Sequence, residues 1–174
     1  MNPRFFCFDL EMNQPSKKII QIGGLIGRLD TGEIIKTFNY YINPHETIHP
    51  FITELTGITQ DIVDSGIELI DAVREIEQEV IRLKACKSPI VWGNGDLKHL
   101  QYQSGLFRSV RREIDIKTIY QWGCLKHNKS MKGGLASAIK AQGNVFVGKE
   151  HNALDDATYQ ARHAIKLLNN INKG

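Results

Sequence analysis

Cysteine and proline are scarce in this chain, at three and five residues among 174. Cys7, Cys86 and Cys124 lie far apart and form no CxxC pair, which argues against a zinc knuckle, a redox dithiol or a disulfide framework and fits reduced thiols. Cys7, inside an apolar run, reads as a small core residue rather than a nucleophile. No window reaches the roughly 20 apolar residues of a membrane span. Acidic residues interrupt MNPRFFCFDLEMN before a signal-peptide core can develop. The expectation is a soluble, cytoplasmic protein that does not engage a membrane. An excess of charge of one sign is missing too: 22 Lys and Arg face 19 Asp and Glu, a net +3, which names no partner by itself. Neither an internal repeat nor a Pro-, Ser- or Gln-rich linker divides the chain, so residues 1–174 are expected to form one domain.

What is present is an α/β pattern. FFCFDL (5–10) is apolar on both faces of the alternation, as a strand buried on both sides should be. Residues 19–29 and 34–42 are again strand-like, with Asp30-Thr31-Gly32 as the turn between them, which predicts a three-strand antiparallel meander. Pro50 to Gly66 reads as a short helix and turns. Ser65 and Glu68 have capping-box spacing, and Leu69, Ala72, Val73, Ile76, Val80 and Leu83 continue at helical period. PIVW (89–92) predicts a fourth strand entering the loop Gly93-Asn94-Gly95-Asp96, with a helix over 97–104. A last short strand at 114–116 and C-terminal helices, including 153–169, complete a mixed five-stranded sheet flanked by helices. A dinucleotide-binding fold would require a glycine-rich turn after the first strand. That position carries Asp-Leu-Glu, and Gly23, Gly24 and Gly27 fall inside a strand pattern.

Asp9 and Glu11, two apart on a strand, point to one side of the sheet, where two carboxylates can share a hard divalent cation. Asp96 follows the fourth strand, and Asp155-Asp156 open the last helix soon after His151. On that helix, Leu154, Ala157, Ala161, Ala164, Ile165 and Leu168 form an apolar stripe. Asp155 and Asp156 flank the stripe on opposite sides, so periodicity does not choose between them.

The segments FDLEMNQPSKKIIQIGGLI, NPHETIHPFITELTGIT, WGNGD and HNALDDATYQA together resemble the ordered motifs of the DEDDh 3′-to-5′ exonucleases, across residues 5–162. The resemblance implies a ribonuclease H-like three-layer sandwich. It implies Asp9, Glu11, Asp96 and Asp156 as catalytic metal ligands and His151 as general base, the family's spacing of five after the His selecting Asp156 over Asp155. It further implies two divalent cations, Mg²⁺ or Mn²⁺, with Asp9 shared between them, and hydrolysis of phosphodiesters at the 3′ end of single-stranded DNA or RNA. Met12 stands where the family often has Thr, and WGNGD replaces an HNAxFD-like segment in a manner similar to exonucleases that trim structured and small RNAs. Met12, Leu55 and Ile58 are implied substrate contacts. A second copy of the chain and a polymerase or other replication or repair protein are further partners that the resemblance allows.

Two basic clusters, Arg108, Arg111 and Arg112 and then Lys126, Lys129 and Lys132, are candidates for tracking a nucleic-acid backbone. His45 and His49 form an HxxxH bracketed by Pro44 and Pro50, which disfavours a helical zinc pair. Trp92 and Trp122 are expected to pack in the interior. Two other activities remain open: a catalytically silent nucleic-acid-binding or adaptor module of the same fold, and a ribonuclease H-like endonuclease.

Overall fold

The computed structural model describes residues 3–127, 133–141, 143, 145 and 147–171. Strands β1 (Arg4–Met12), β2 (Ile19–Arg28) and β3 (Ile34–Tyr41) form the expected antiparallel meander. β4 (Ile90–Val91) runs parallel to β1 on its other side, and β5 (Ile114–Asp115) runs parallel to β4. The sheet order is β3-β2-β1-β4-β5, so β1 is central and its carboxyl end lies beside that of β4. Seven helices are described: α1 (Pro50–Thr56), α2 (Gln60–Asp64), α3 (Leu69–Arg82), α4 (Asp96–Ser104), α5 (Ile116–Lys126), α6 (Leu135–Ala141) and α7 (Ala153–Ile171). None of the described helices is long and apolar enough to cross a membrane.

The alternation of β1 divides the core. Phe6, Phe8 and Leu10 face one layer, packed with Ala72, Val73, Ile76 and Val80 of α3 and Leu97 and Leu100 of α4. Phe5 and Cys7 face the other, against Ala157, Ala161 and Ala164 of α7. By the same period of two, Asp9 and Glu11 continue the α7 face. The apolar run over residues 5–8 of β1 anchors the strand, and its two acids emerge beneath the start of α7.

Close approach of α7 to the sheet depends on Gly23, the cross-strand partner of Asp9. A Cβ on Gly23 would lie 2.1 Å from the Ala153 carbonyl carbon and 2.0 Å from the Leu154 nitrogen. Next along β2 on this face, the buried Gln21 accepts a hydrogen bond from the Ala153 amide at 3.1 Å. Asn152 caps the helix, its Oδ1 accepting from the Leu154 and Asp155 amides at 3.2 and 3.3 Å. Glycine, glutamine and asparagine thus fix where the first turn of α7 sits.

Two expectations are corrected. Ser65 makes no capping box with Glu68: it ends α2, where its hydroxyl donates back to the Asp61 and Ile62 carbonyls, and Glu68 is the N-cap of α3 without a side-chain bond. Trp122 is not an interior residue but 72% exposed on α5.

Candidate active site

A cleft of about 510 Å³ opens at the carboxyl end of β1, and Asp9, Glu11, His151 and Asp156 all line it. Its further wall is the first turn of α6, Leu135 to Ser137. Ligand-capable atoms of Glu11, His151 and Asp156 lie within 4.8 Å of one another. Strand β1 therefore supplies two carboxylates, the first turn of α7 a third, and the turn leading into α7 an imidazole.

His151 takes a left-handed backbone conformation, φ 62°, unusual for a non-glycine residue and a form of local strain found at functional sites. Its amide donates to Asp156 Oδ2 at 3.1 Å, which ties the turn to the helix it precedes. Asp155, the alternative that helical period left open, turns away: its Oδ2 accepts from the Lys149 amide at 2.9 Å, against Gly148. Asp155 fastens the loop and Asp156 faces the cleft.

Asp96 does not line the cleft but stands close enough to act electrostatically on both Asp9 and Glu11. Its helix start is held by Glu113, whose carboxylate accepts from the Gly95 and Leu97 amides. This carboxylate satisfies the free amides of a helix start, where negative charge is favoured.

The four acids repel. Burial, followed by the charges of Asp96, Asp156 and Glu11, pushes the Asp9 carboxyl well above the usual range, partly opposed by a hydrogen bond from Gln160. Burial with Asp156 and Asp96 raises Glu11 to about 8. Burial and Glu113 raise Asp96 to about 7. Burial raises Asp156 to about 6, opposed by the His151 amide. Partly desolvated carboxylates that raise one another's pKa are the arrangement a hard divalent cation relieves, and an all-oxygen donor set suits Mg²⁺ or Mn²⁺. The residues present fit such an ion.

Three residues of the site escaped the sequence reading. Gln160, fully buried on α7, donates from Nε2 to Asp9 Oδ1 at 2.6 Å. Its signal was a polar side chain interrupting the apolar stripe, four residues after Asp156. Lys117, in the first turn of α5, brings a cation to the cleft, and nothing in its local pattern marks it. Glu113 likewise has no sequence signature, because α4 and Glu113 meet only through the fold.

The expected substrate residues are not cleft-lining. Ile58, 2% exposed, packs with Ile20, Ile48, Ile52 and Val63. Leu55 and Met12 are half-buried, Met12 against the main core. Arg108, Arg111 and Arg112 are exposed between α4 and β5. Lys126 is exposed at the end of α5, and Lys129 and Lys132 lie outside the described residues. His45 meets Glu68 at 2.9 Å, and His49 caps α1 by accepting from the Phe51 amide, so both are otherwise engaged. Trp92 lines the cleft and packs against Tyr120 and His163. Cys7 is buried, as expected.

The model of a family described as "Exonuclease" matches residues 6–163. The mouse ERI1 exoribonuclease 2 is 29% identical over 93% of this chain and 27% of its own length. The Drosophila melanogaster 3′-5′ exonuclease Snipper is 29% identical over 80% of this chain and 57% of its own length. The chain spans 26% to 32% of the four ERI1 exoribonuclease 2 proteins it matches, from mouse, frog, human and zebrafish. Among solved structures, the nuclease domain of 3′hExo, a DEDDh family member bound to rAMP, superposes with a TM-score of 0.75 at 21% identity, over 97% of this chain and 93% of that one. Cell-death related nuclease 4 superposes with a TM-score of 0.81 at 17% identity, over 97% and 64%. These likenesses show a shared ribonuclease H-like fold. With a family model matched over nearly its whole length and the ordered acids of the DEDDh pattern in place, the chain belongs to the RNase T-type exonuclease family.

Proposed function

We propose that this chain is a metal-dependent 3′-to-5′ exonuclease that removes nucleoside 5′-monophosphates from a single-stranded end. The observation that carries the reading is the convergence of Asp9, Glu11, Asp156 and His151 on one cleft. Asp9 would be shared by two divalent cations, Glu11 and Asp156 would complete one site, and Asp96 would serve the second directly or through water. When bound, such ions stabilise the charge that gathers on the attacking and leaving oxygens of a phosphodiester.

The chain's own groups do the rest. His151, at the cleft edge, accepts the proton of the attacking water. Gln160 steadies Asp9. Lys117, which lines the same cleft, meets a phosphate of the bound strand. Leu55 and Met12 offer apolar surface to the terminal base, while Ile58 seats the helix that carries Leu55. Exposed Arg108, Arg111 and Arg112 are the described basic group suited to the departing backbone.

An RNA end is the favoured substrate. Four relatives matched over 88% to 93% of the chain are named exoribonucleases, and the two structural neighbours that hold rAMP or address a histone mRNA stem-loop superpose with higher TM-scores, 0.75 and 0.78, than the exonuclease X and exonuclease I complexes with DNA, 0.62 and 0.71. Matched 5′-labelled single-stranded RNA and DNA, each with a free or a blocked 3′ end, test this reading. Stepwise shortening of RNA that stalls at a blocked end supports it. Internal cuts in blocked strands would indicate an endonuclease, and binding without shortening a silent module; either result refutes the proposal.

A further inference from the structure

We propose that Gln160 is a positioning residue that holds Asp9 in the orientation needed for cation binding, so that α7 acts on the metal site from two successive turns. The inference rests on the metal-binding reading above and goes beyond it by assigning a residue outside the acid and histidine set.

Gln160 is fully buried at the base of the cleft. Its Nε2 donates to Asp9 Oδ1 at 2.6 Å, short for an N–H···O bond. The other end of the amide is also held. Cys7 Sγ lies 3.5 Å from Gln160 Oε1 and 3.3 Å from the Ala157 carbonyl oxygen, so the thiol proton has an acceptor on α7 in either direction. Cys7 and Asp9 are i and i+2 on β1 and share a face, and Gln160 spans them from the helix above. The amide therefore cannot rotate without breaking contacts at both ends. Its orientation is fixed: oxygen toward the thiol, nitrogen toward the carboxylate.

Helical period explains the pairing of roles. Gln160 follows Asp156 by four residues and so lies one turn further along the same face. Asp156 reaches the cleft directly, whereas Gln160 reaches it through Asp9. One oxygen of Asp9 is partly occupied by the amide, which leaves Oδ2 and the remaining lone pair of Oδ1 for cations. A residue that orients a metal-binding carboxylate in this way typically changes metal affinity or activity about 10- to 100-fold when lost. Leucine at this position keeps an uncharged side chain of similar bulk but has no donor.

The test compares wild type, Gln160→Leu and Asp9→Asn in the metal-free protein by calorimetric titration with Mn²⁺, together with kcat and KM on a 5′-labelled oligonucleotide. Gln160→Leu should bind Mn²⁺ about 10- to 100-fold more weakly and lose kcat, with KM for the strand unchanged. A folded Gln160→Leu protein with wild-type Mn²⁺ affinity would overturn the inference, and if Asp9→Asn still weakens binding, the metal reading survives it. Wild-type affinity in Asp9→Asn would refute both. Should Gln160→Leu fail to fold, Mg²⁺ titration of the wild-type protein by NMR decides. Side-chain amide signals of Gln160 that shift and saturate with the ion support the role, and signals that do not move refute it.

Discussion

Gly23 and Ala153 meet at a distance that leaves no room for a side chain, a Cβ on the glycine falling 2.1 Å from the Ala153 carbonyl carbon. Because Gly23 is also the cross-strand partner of Asp9, this contact sets the height at which α7 carries Asp156 over the strand acids. Gly23→Ala should cost at least the ~1–3 kcal/mol of an overpacked core. Its activity should fall further than its stability alone accounts for, since α7 must lift away from Asp9. Thermal melts alongside kcat measurements check this; normal kcat in a folded Gly23→Ala protein would contradict it.

Neighbouring acids at 155 and 156 give a second prediction. Asp156→Asn should lower kcat by about 10²- to 10³-fold, as expected when one preorganised electrostatic contact is removed. Asp155→Asn weakens the bond to the Lys149 amide, a loss of about 1 kcal/mol, and removes a charge that raises Asp156, while leaving the cleft acids in place. Side-by-side kinetics of the two variants, with the reverse ranking, would reassign the site acid.

His151 separates function from stability. Its left-handed backbone, φ 62°, is better tolerated by asparagine than by most residues. His151→Asn should therefore fold with unchanged or slightly higher thermal stability while kcat falls about 10²- to 10⁴-fold, the usual range for a general base. Loss of stability in proportion to activity would point to a structural histidine instead.

How much of this was legible beforehand depended on whether the signal was local. Phe6, Phe8 and Leu10 against Phe5, Cys7, Asp9 and Glu11 is a period of two readable from β1 alone, and it placed both acids on one face. Asp155 and Asp156 were equivalent by helical period, and it is the packing of α7 that turns one to the loop and the other to the cleft. Ser65 misled because its spacing to Glu68 is equally good for ending α2, a helix too short to announce itself. Gln160, Glu113 and Lys117 act across 151, 16 and more residues of chain, or through a shared cleft, and no window of sequence contains such pairs.

Metal and pH should be linked in stability. Glu11, Asp96 and Asp156 titrate at about 8, 7 and 6 in the metal-free fold, all above their ordinary values. A raised carboxyl pKa contributes stability that is complete below the unfolded value and lost as pH climbs through the folded one. The metal-free protein should thus lose stability from these groups from about pH 4, where the unfolded carboxyls ionise, up to about pH 8.5, with Asp156 complete first and Glu11 last. His163 runs the opposite way, lowered to about 4 by burial and Lys166, so its contribution is gained as pH rises and is complete by its ordinary value of 6.5. Above that pH the acids govern. Calorimetry in EDTA and in Mg²⁺ should show a larger metal-induced rise in Tm near pH 8.5 than near pH 6.5, because a cation favours the ionised acids. An equal rise at both would count against the four-acid site.

The central claim is that the Asp9 cleft hydrolyses strands from the 3′ end. Its most direct test is a time course of 5′-labelled single-stranded RNA with wild type and Asp9→Asn, each in Mg²⁺ and in EDTA. A ladder shortening one nucleotide at a time, only with wild type and only with the metal, is the predicted result. Shortening by Asp9→Asn at the wild-type rate would contradict the account.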